Sequence, residues 1–305
     1  MLDRIPGRAP EDTAAAADPA ELSAPFIHPT ALVAPEARLG PGVRIGPFCT
    51  VGPEVELGAG VELLGHVVVD GRTRIGERAR LFPFCTVGMA PQDLKYRGEP
   101  TACEVGARTV VREGATIHRG TASGGGITRV GNDCLIMANA HVAHDCVLGD
   151  RVIIVNNVVM GGHVTIDDDA RVMGQAAIHQ FVRIGRAAMV GGVCGVEADV
   201  IPYGSVLGNR ARLVGLHWIW LRRNGVGREE MLRLRRGFRA LFPRAADAAA
   251  SPFARRLDAL RAELDRAGPD ADARLREIVG FIDAPSRRGL VRLPGRTGAE
   301  EFEGA

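Results

Sequence analysis

Aromatic residues make up only 5% of the chain, net charge is close to balanced at +2, and no apolar run is long. Few aromatics argue against a core built on large rings. A charge of +2 leaves no global field for nucleic acid. No stretch reaches the ~18 apolar residues of a membrane helix, so no integral membrane segment is expected. The six cysteines, at 49, 85, 103, 134, 146 and 194, form no C-x-x-C pair. That argues against a disulfide framework or structural zinc and for reduced thiols in a cytoplasmic protein. Residues 1–25 are rich in Ala, Pro and acid, without the basic start and apolar run of a secretory signal. They read as a disordered leader.

What the chain does have is glycine, 39 residues of it, and a period of six. Stepping by six from Ile27 to Val87, from Val105 to Ile117 and from Val130 to Val196 meets only Val, Ile and Leu, apart from Met160. An amphipathic helix would repeat near 3.6 and a simple strand at 2. Six implies a two-residue strand and a turn, repeated, with the aliphatic side chain inward. Three such sides close one coil of a parallel β-helix. Residues 26–204 then give about ten coils, a prism about 50 Å long at ~4.8 Å per coil. Two stretches interrupt the period, 89–104 and 123–129, and both read as loops. Loops that leave a regular solenoid tend to carry function. From 205 to 291 the pattern becomes helical, with segments at 211–225, 228–242, 251–268 and 272–284 broken by Gly, Pro and Asp. This small domain is expected to cap the prism and cover its last strand edges. Residues 292–305 read as a frayed tail.

Polar residues fall on the prism in a pattern. His144 lies two places past Val142. Gly162 and Gln180 follow at intervals of eighteen and stack above it, with His163 and His179 flanking the column. Counting the interruption at 123–129 as one added residue puts His118 on a different side, that of Ile136, together with Gly192. A convex prism cannot fold two of its sides together. A second copy can supply the missing side, and head-to-tail contacts of this kind close at three. The expected assembly is a homotrimer with clefts between subunits.

The repeat resembles that of the hexapeptide-repeat acyltransferases, whose coils wind left-handed. That resemblance implies a left-handed parallel β-helix, whereas the general crossover rule predicts the opposite hand. The motifs GPFCTVGP, PQDLKYRGEPT, TIHRGT, GGGITRVG, AHVAHDC, GGHV, AIHQF, MVGGVCGV and APSRRGLVR narrow the likeness. Together, in order from Ile27 to Arg292, they resemble the acyl-(acyl-carrier-protein)–UDP-N-acetylglucosamine O-acyltransferases, which catalyse the first step of lipid A biosynthesis.

The resemblance implies transfer of a 3-hydroxyacyl chain from acyl carrier protein to the 3-hydroxyl of UDP-N-acetylglucosamine, with no cofactor and no metal. His144 is then the general base, Asp145 its orienting partner, and Gly162 a backbone donor to the thioester oxyanion. Asp93, Lys95, His118, His141, His163, His179 and Gln180 match substrate-contacting positions. Arg223 matches a nucleotide-phosphate contact. Gly192 matches a position that sets acyl-chain length, its small size leaving room for a chain on the order of fourteen carbons by family analogy. The run HWIWLRR departs from the family pattern, with His217 in place of an asparagine and Trp220 in place of a glycine. That leaves open whether the acceptor is the 3-hydroxyl or the 3-amino sugar nucleotide. Two rival readings are a scaffold and a gamma-type carbonic anhydrase. The latter spaces its paired zinc ligands five residues apart, whereas His141 and His144 are three apart.

Overall fold

The computed structural model describes residues 24–243, 251–268, 271–291 and 293. The leader and tail expected from the sequence lie almost wholly outside them. Most strands are only two residues long, separated by tight turns, and they stack into three parallel sheets that form the faces of a prism. Face I starts at Phe26–Ile27, face II at Leu32–Val33 and face III at Arg38–Leu39. Successive rungs pair in register, as in Leu135 against Ile153 and Ile153 against Arg171. The second residue of each strand points inward, and Ile45, Leu63, Ile136 and Ile154 reach 0–1% exposure. Each rung therefore buries one aliphatic side chain per face against the rungs above and below, which is why the period admits almost nothing but Val, Ile and Leu.

The turns carry strain. Asp145, His163, Phe181 and Val193 all have φ between 56° and 66°. A side-chain-bearing residue pays about 1–2 kcal/mol for that left-handed conformation. Here the stacked rungs impose it, and the bend turns those side chains outward at the corners.

Counting along the sequence mislocates His118. Ile117 pairs with Val142, so His118 ends a face II strand, Thr116–His118, on the same side as His141 and His144. The strands flanking the second interruption are neighbours in one coil, and Val105 pairs with Val130 on face III. That coil spends 25 residues where a plain one spends 18, because 119–126 leaves the prism as a loop with a short 3-10 turn at Ala122–Gly124. An insertion of one full hexad plus one residue looks, in phase, like a single added residue. The first excursion behaves likewise: Ile75 pairs with Val105, and 90–101 lies outside the coil. His118 therefore lies with the other histidines, and of the two residues expected on the opposite side, Gly192 alone stays on the face I side.

The expected helix over 211–225 is also shorter. Arg212–Leu216 is a strand, antiparallel to Gly204–Leu207 at the end of face I. The open edge of the last parallel rung offers unpaired backbone groups, and a return strand satisfies them better than a helix would. Helix follows at α1 (Trp218–Arg223), α2 (Arg228–Leu241), α3 (Phe253–Ala267) and α4 (Ala273–Asp283). The last three pack through Leu234 and Leu241, Leu257 and Leu260, and Leu275 and Ile278. Gly237 lets α2 approach Leu275, since a Cβ there would come within 2.5 Å of it. Beyond α4 the chain returns to the prism. Asp199, 1% exposed, donates its N–H to Gly289 O (2.8 Å) and its carbonyl accepts from Val291 N (2.9 Å). Its carboxylate accepts from Arg183 N and Nε at 2.8 and 2.7 Å.

Candidate active site

An open cleft of about 820 Å³ lies along the corner between faces II and III, where the loop 90–101, the loop 119–126 and the returning C-terminal segment meet. Asp93, Lys95, His144, His163 and Gln180 line it, as do Phe181, Arg287, Ser123 and Gly124.

His144 is held from behind. Its Nδ1–H donates to Asp145 Oδ2 at 2.8 Å, which leaves Nε2 as the basic nitrogen. The Asp145 side chain has no exposed surface. Its Oδ1 accepts from Thr121 N (2.9 Å), its Oδ2 from Thr121 Oγ1 (2.6 Å), and its own N–H donates to Thr128 Oγ1 (2.8 Å). The 119–126 loop thus exists, in part, to saturate one carboxylate. Gly124 closes against it so tightly that a Cβ would fall 2.1 Å from the carboxyl carbon.

One coil above, Gly162 sits over the imidazole, and a Cβ there would lie 2.4 Å from His144 Cε1 and 2.7 Å from Nε2. Its N–H has no protein acceptor among the described residues. His163 meets His144 edge-on with centroids 5.1 Å apart, and Phe181 stacks on His163 at 4.4 Å. Burial pushes the His163 imidazole down; the Asp145 carboxylate pulls the other way.

His118 and His141 form a second pair just off the cleft, rings 4.8 Å apart and perpendicular. Thr116 Oγ1 bonds His141 Nδ1 at 2.7 Å, whereas His118 Nδ1 is buried with no partner among the described residues. Burial, then His141 and His144, push His118 down to about 4, and burial likewise lowers His141. Burial thus disfavours the cationic form of both rings.

The remaining candidates lie apart. His179 is exposed, against Arg288, whose Nε donates to Gln180 O at 2.8 Å. Gly192 sits at the corner between faces I and II, where a Cβ would meet only Gly174 O, at 3.4 Å. Arg223 ends α1, exposed, and its charge acts on Arg171 of face I and on the buried His217. The sequence reading did not single out Thr121, Thr128, Phe181 or Arg287. The motifs TIHRGT, GGGITRVG, AIHQF and APSRRGLVR contain all four, but Arg287 reaches the cleft from more than a hundred residues away. Among the described residues, donor atoms of His144, Asp145 and His163 lie within 4.8 Å of one another, close enough to hold a metal ion. The Asp145 oxygens already accept three hydrogen bonds.

Residues 127–162 match a family described as bacterial transferase hexapeptide (six repeats), and residues 199–291 match UDP N-acetylglucosamine O-acyltransferase, domain 2. An acyl-(acyl-carrier-protein)–UDP-N-acetylglucosamine O-acyltransferase of Paracoccus denitrificans is 49% identical over 204 residues, 67% of this chain and 73% of that one. A protein of the same description from Anaeromyxobacter sp. is 49% identical over 172 residues, 56% of this chain and 67% of that one. The crystal structure of the UDP-N-acetylglucosamine acyltransferase of Bacteroides fragilis superposes with a TM-score of 0.80 at 33% identity, covering 88% of this chain and all of that one. The corresponding Acinetobacter baumannii structure gives 0.80 at 38%, with the same coverage.

The coil is that of a hexapeptide-repeat acyltransferase with a left-handed parallel β-helix. Within that class, the chain belongs to the acyl-(acyl-carrier-protein)–UDP-N-acetylglucosamine O-acyltransferase family.

Proposed function

We propose that the protein transfers a 3-hydroxyacyl chain from acyl carrier protein to the 3-hydroxyl of UDP-N-acetylglucosamine, the opening step of lipid A biosynthesis. The observation that carries the mechanism is the His144–Asp145 pair, with its carboxylate buried, saturated and bonded to Nδ1. His144 Nε2 takes the proton from the sugar 3-hydroxyl as its oxygen attacks the thioester carbonyl. The electron pair of the carbonyl moves to oxygen, and the Gly162 N–H stabilises that oxyanion. The tetrahedral intermediate collapses, the C–S bond breaks, and the His144 imidazolium returns the proton to the leaving thiolate of the phosphopantetheine arm. No acyl-enzyme forms and no cofactor takes part. Asp145 fixes the tautomer and stabilises the transient imidazolium.

Asp93, Lys95, His163 and Gln180 contact the sugar nucleotide or donor from the cleft walls, with His118, His141 and His179 in support. Arg223 serves a nucleotide phosphate, and Gly192 leaves room for the distal acyl chain. Arg223 and Gly192 belong to the face I side, away from the cleft of their own protomer, and a homotrimer brings them to a neighbour's cleft. The prism carries the chemistry and the C-terminal helices cap it. Six free, buried cysteines suit the reducing cytoplasm. No described helix is long and apolar enough to cross a membrane. The decisive experiment is acyl transfer by the purified protein beside His144→Ala. A fall of about 10²–10⁴-fold is expected for loss of a positioned base. No transfer by wild type to either the 3-hydroxyl or the 3-amino acceptor sinks the reading.

A further inference from the structure

Arg287 stands in the cleft without an ion-pair partner among the described residues. Its guanidinium carbon lies 4.5 Å from the centroid of Phe181, which in turn lies flat on His163, 6° from parallel. The segment carrying it is pinned on one flank. Arg288 Nε donates to Gln180 O, Gly289 N donates to Ser286 Oγ (2.8 Å), and Gly289 O accepts from the buried Asp199. A long, flexible cation is thereby placed over the reacting corner with one flat face occupied. It lines an open cleft that also holds Lys95.

Neither carboxylate of the cleft region forms an ion pair with it among the described residues: Asp145 is bonded to His144 and Thr121, and Asp93 Oδ1 takes a backbone hydrogen bond from Lys95 N at 2.9 Å within its own loop. A planar fork of donors, held by an aromatic ring and lacking a protein anion, matches a phosphate ester. We propose that Arg287 is a phosphate-binding residue of the acyl-transfer cleft. The proposal rests on the reaction given above, in which both substrates carry a phosphate ester: the diphosphate of the sugar nucleotide and the phosphodiester of the donor's pantetheine arm.

The test uses the full chain with Arg287→Gln and Arg287→Lys. Uridine diphosphate and 4′-phosphopantetheine are titrated separately by calorimetry, and KM is measured for each substrate in turn. A charge-assisted pair predicts weakening of roughly 10–100-fold in Arg287→Gln for one ligand, with partial recovery in Arg287→Lys. The ligand affected identifies the source of the phosphate, and the loss falls on the affinity and KM for that substrate more than on kcat. Unchanged affinity for both ligands overturns the proposal. So does an effect confined to the pH profile of kcat, which would make Arg287 a tuner of His163. Binding is read without turnover, so the two failures separate. A wild type that binds neither ligand overturns the proposed reaction along with this inference, whereas a normal wild type and an indistinguishable Arg287→Gln overturn this inference alone.

Discussion

Asp145 accepts hydrogen bonds from Thr121 twice, through the backbone N–H at 2.9 Å and the hydroxyl at 2.6 Å, while also accepting from His144. The two residues lie 24 apart in sequence, joined by the loop that the prism extrudes at 119–126. The orienting carboxylate thus takes its own orientation from the loop rather than from the coil.

Asp145→Asn tests that arrangement. The amide keeps the shape but presents an N–H2 where an acceptor is needed, and His144 loses the partner that fixes its tautomer. A fall in kcat of about 10²–10⁴ is expected, with KM for both substrates near wild type. Steady-state kinetics with each substrate varied in turn checks it; a variant with wild-type kcat would remove Asp145 from the mechanism.

Gly124→Ala should reach the same carboxylate by sterics. Its Cβ would sit 2.1 Å from Asp145 Cγ, so either the loop lifts or the carboxylate turns. A loss of kcat of roughly tenfold or more is expected, since a misplacement near 1 Å can cost 10²-fold. The prism core is untouched and the melting temperature should change by only a few degrees. Thermal melts beside kinetics separate the two effects.

Stability should fall with acid through the histidine pair. His118 is lowered from 6.5 to about 4 by burial and by His141 and His144. Between those values the unfolded chain binds a proton at this residue that the folded chain refuses. Unfolding therefore takes up protons there, and stability is full above pH 6.5 and declines as pH drops toward 4. Melting temperatures from pH 7 to 4 should drop less steeply for His118→Leu than for wild type. Parallel curves would show that His118 does not contribute.

Arg171 gives a prediction of the opposite sign. It stands outward on face I, half-buried, with Nε shielded from water and without a partner among the described residues. Burial, then Arg223, pushes its guanidinium down. Arg171→Met replaces an under-satisfied cation with an apolar chain between Ile153 and Met189, its neighbours on that face. A gain of about 1 kcal/mol is expected. Denaturant unfolding at fixed protein concentration measures it, and a loss would mean that Arg171 finds an anion in the assembled protein.

Much of this was legible in the sequence, and what escaped has a physical reason. The aliphatic hexad is read directly because one side chain per rung must fill the same axial space. His144, Gly162 and Gln180 stack because eighteen residues make one plain coil. His118 was misplaced because phase modulo six cannot distinguish an added residue from an added residue plus a whole hexad. The strand Arg212–Leu216 was missed because its cause is an open sheet edge, a property of the fold rather than of local propensity. Phe181 follows Gln180 at a corner and was open to inspection, but Arg287 depends on where the chain goes after four helices.

The coils at the two excursions have the same three-sided cross-section as the plain ones, although they spend 30 and 25 residues instead of 18. The prism behaves as a rail along which rungs keep their place whatever is spliced in at a corner. Loop length is thereby decoupled from core packing, so the cleft can be re-cut residue by residue, with its walls lengthened or replaced, while the column of His144, Gly162 and Gln180 stays in register.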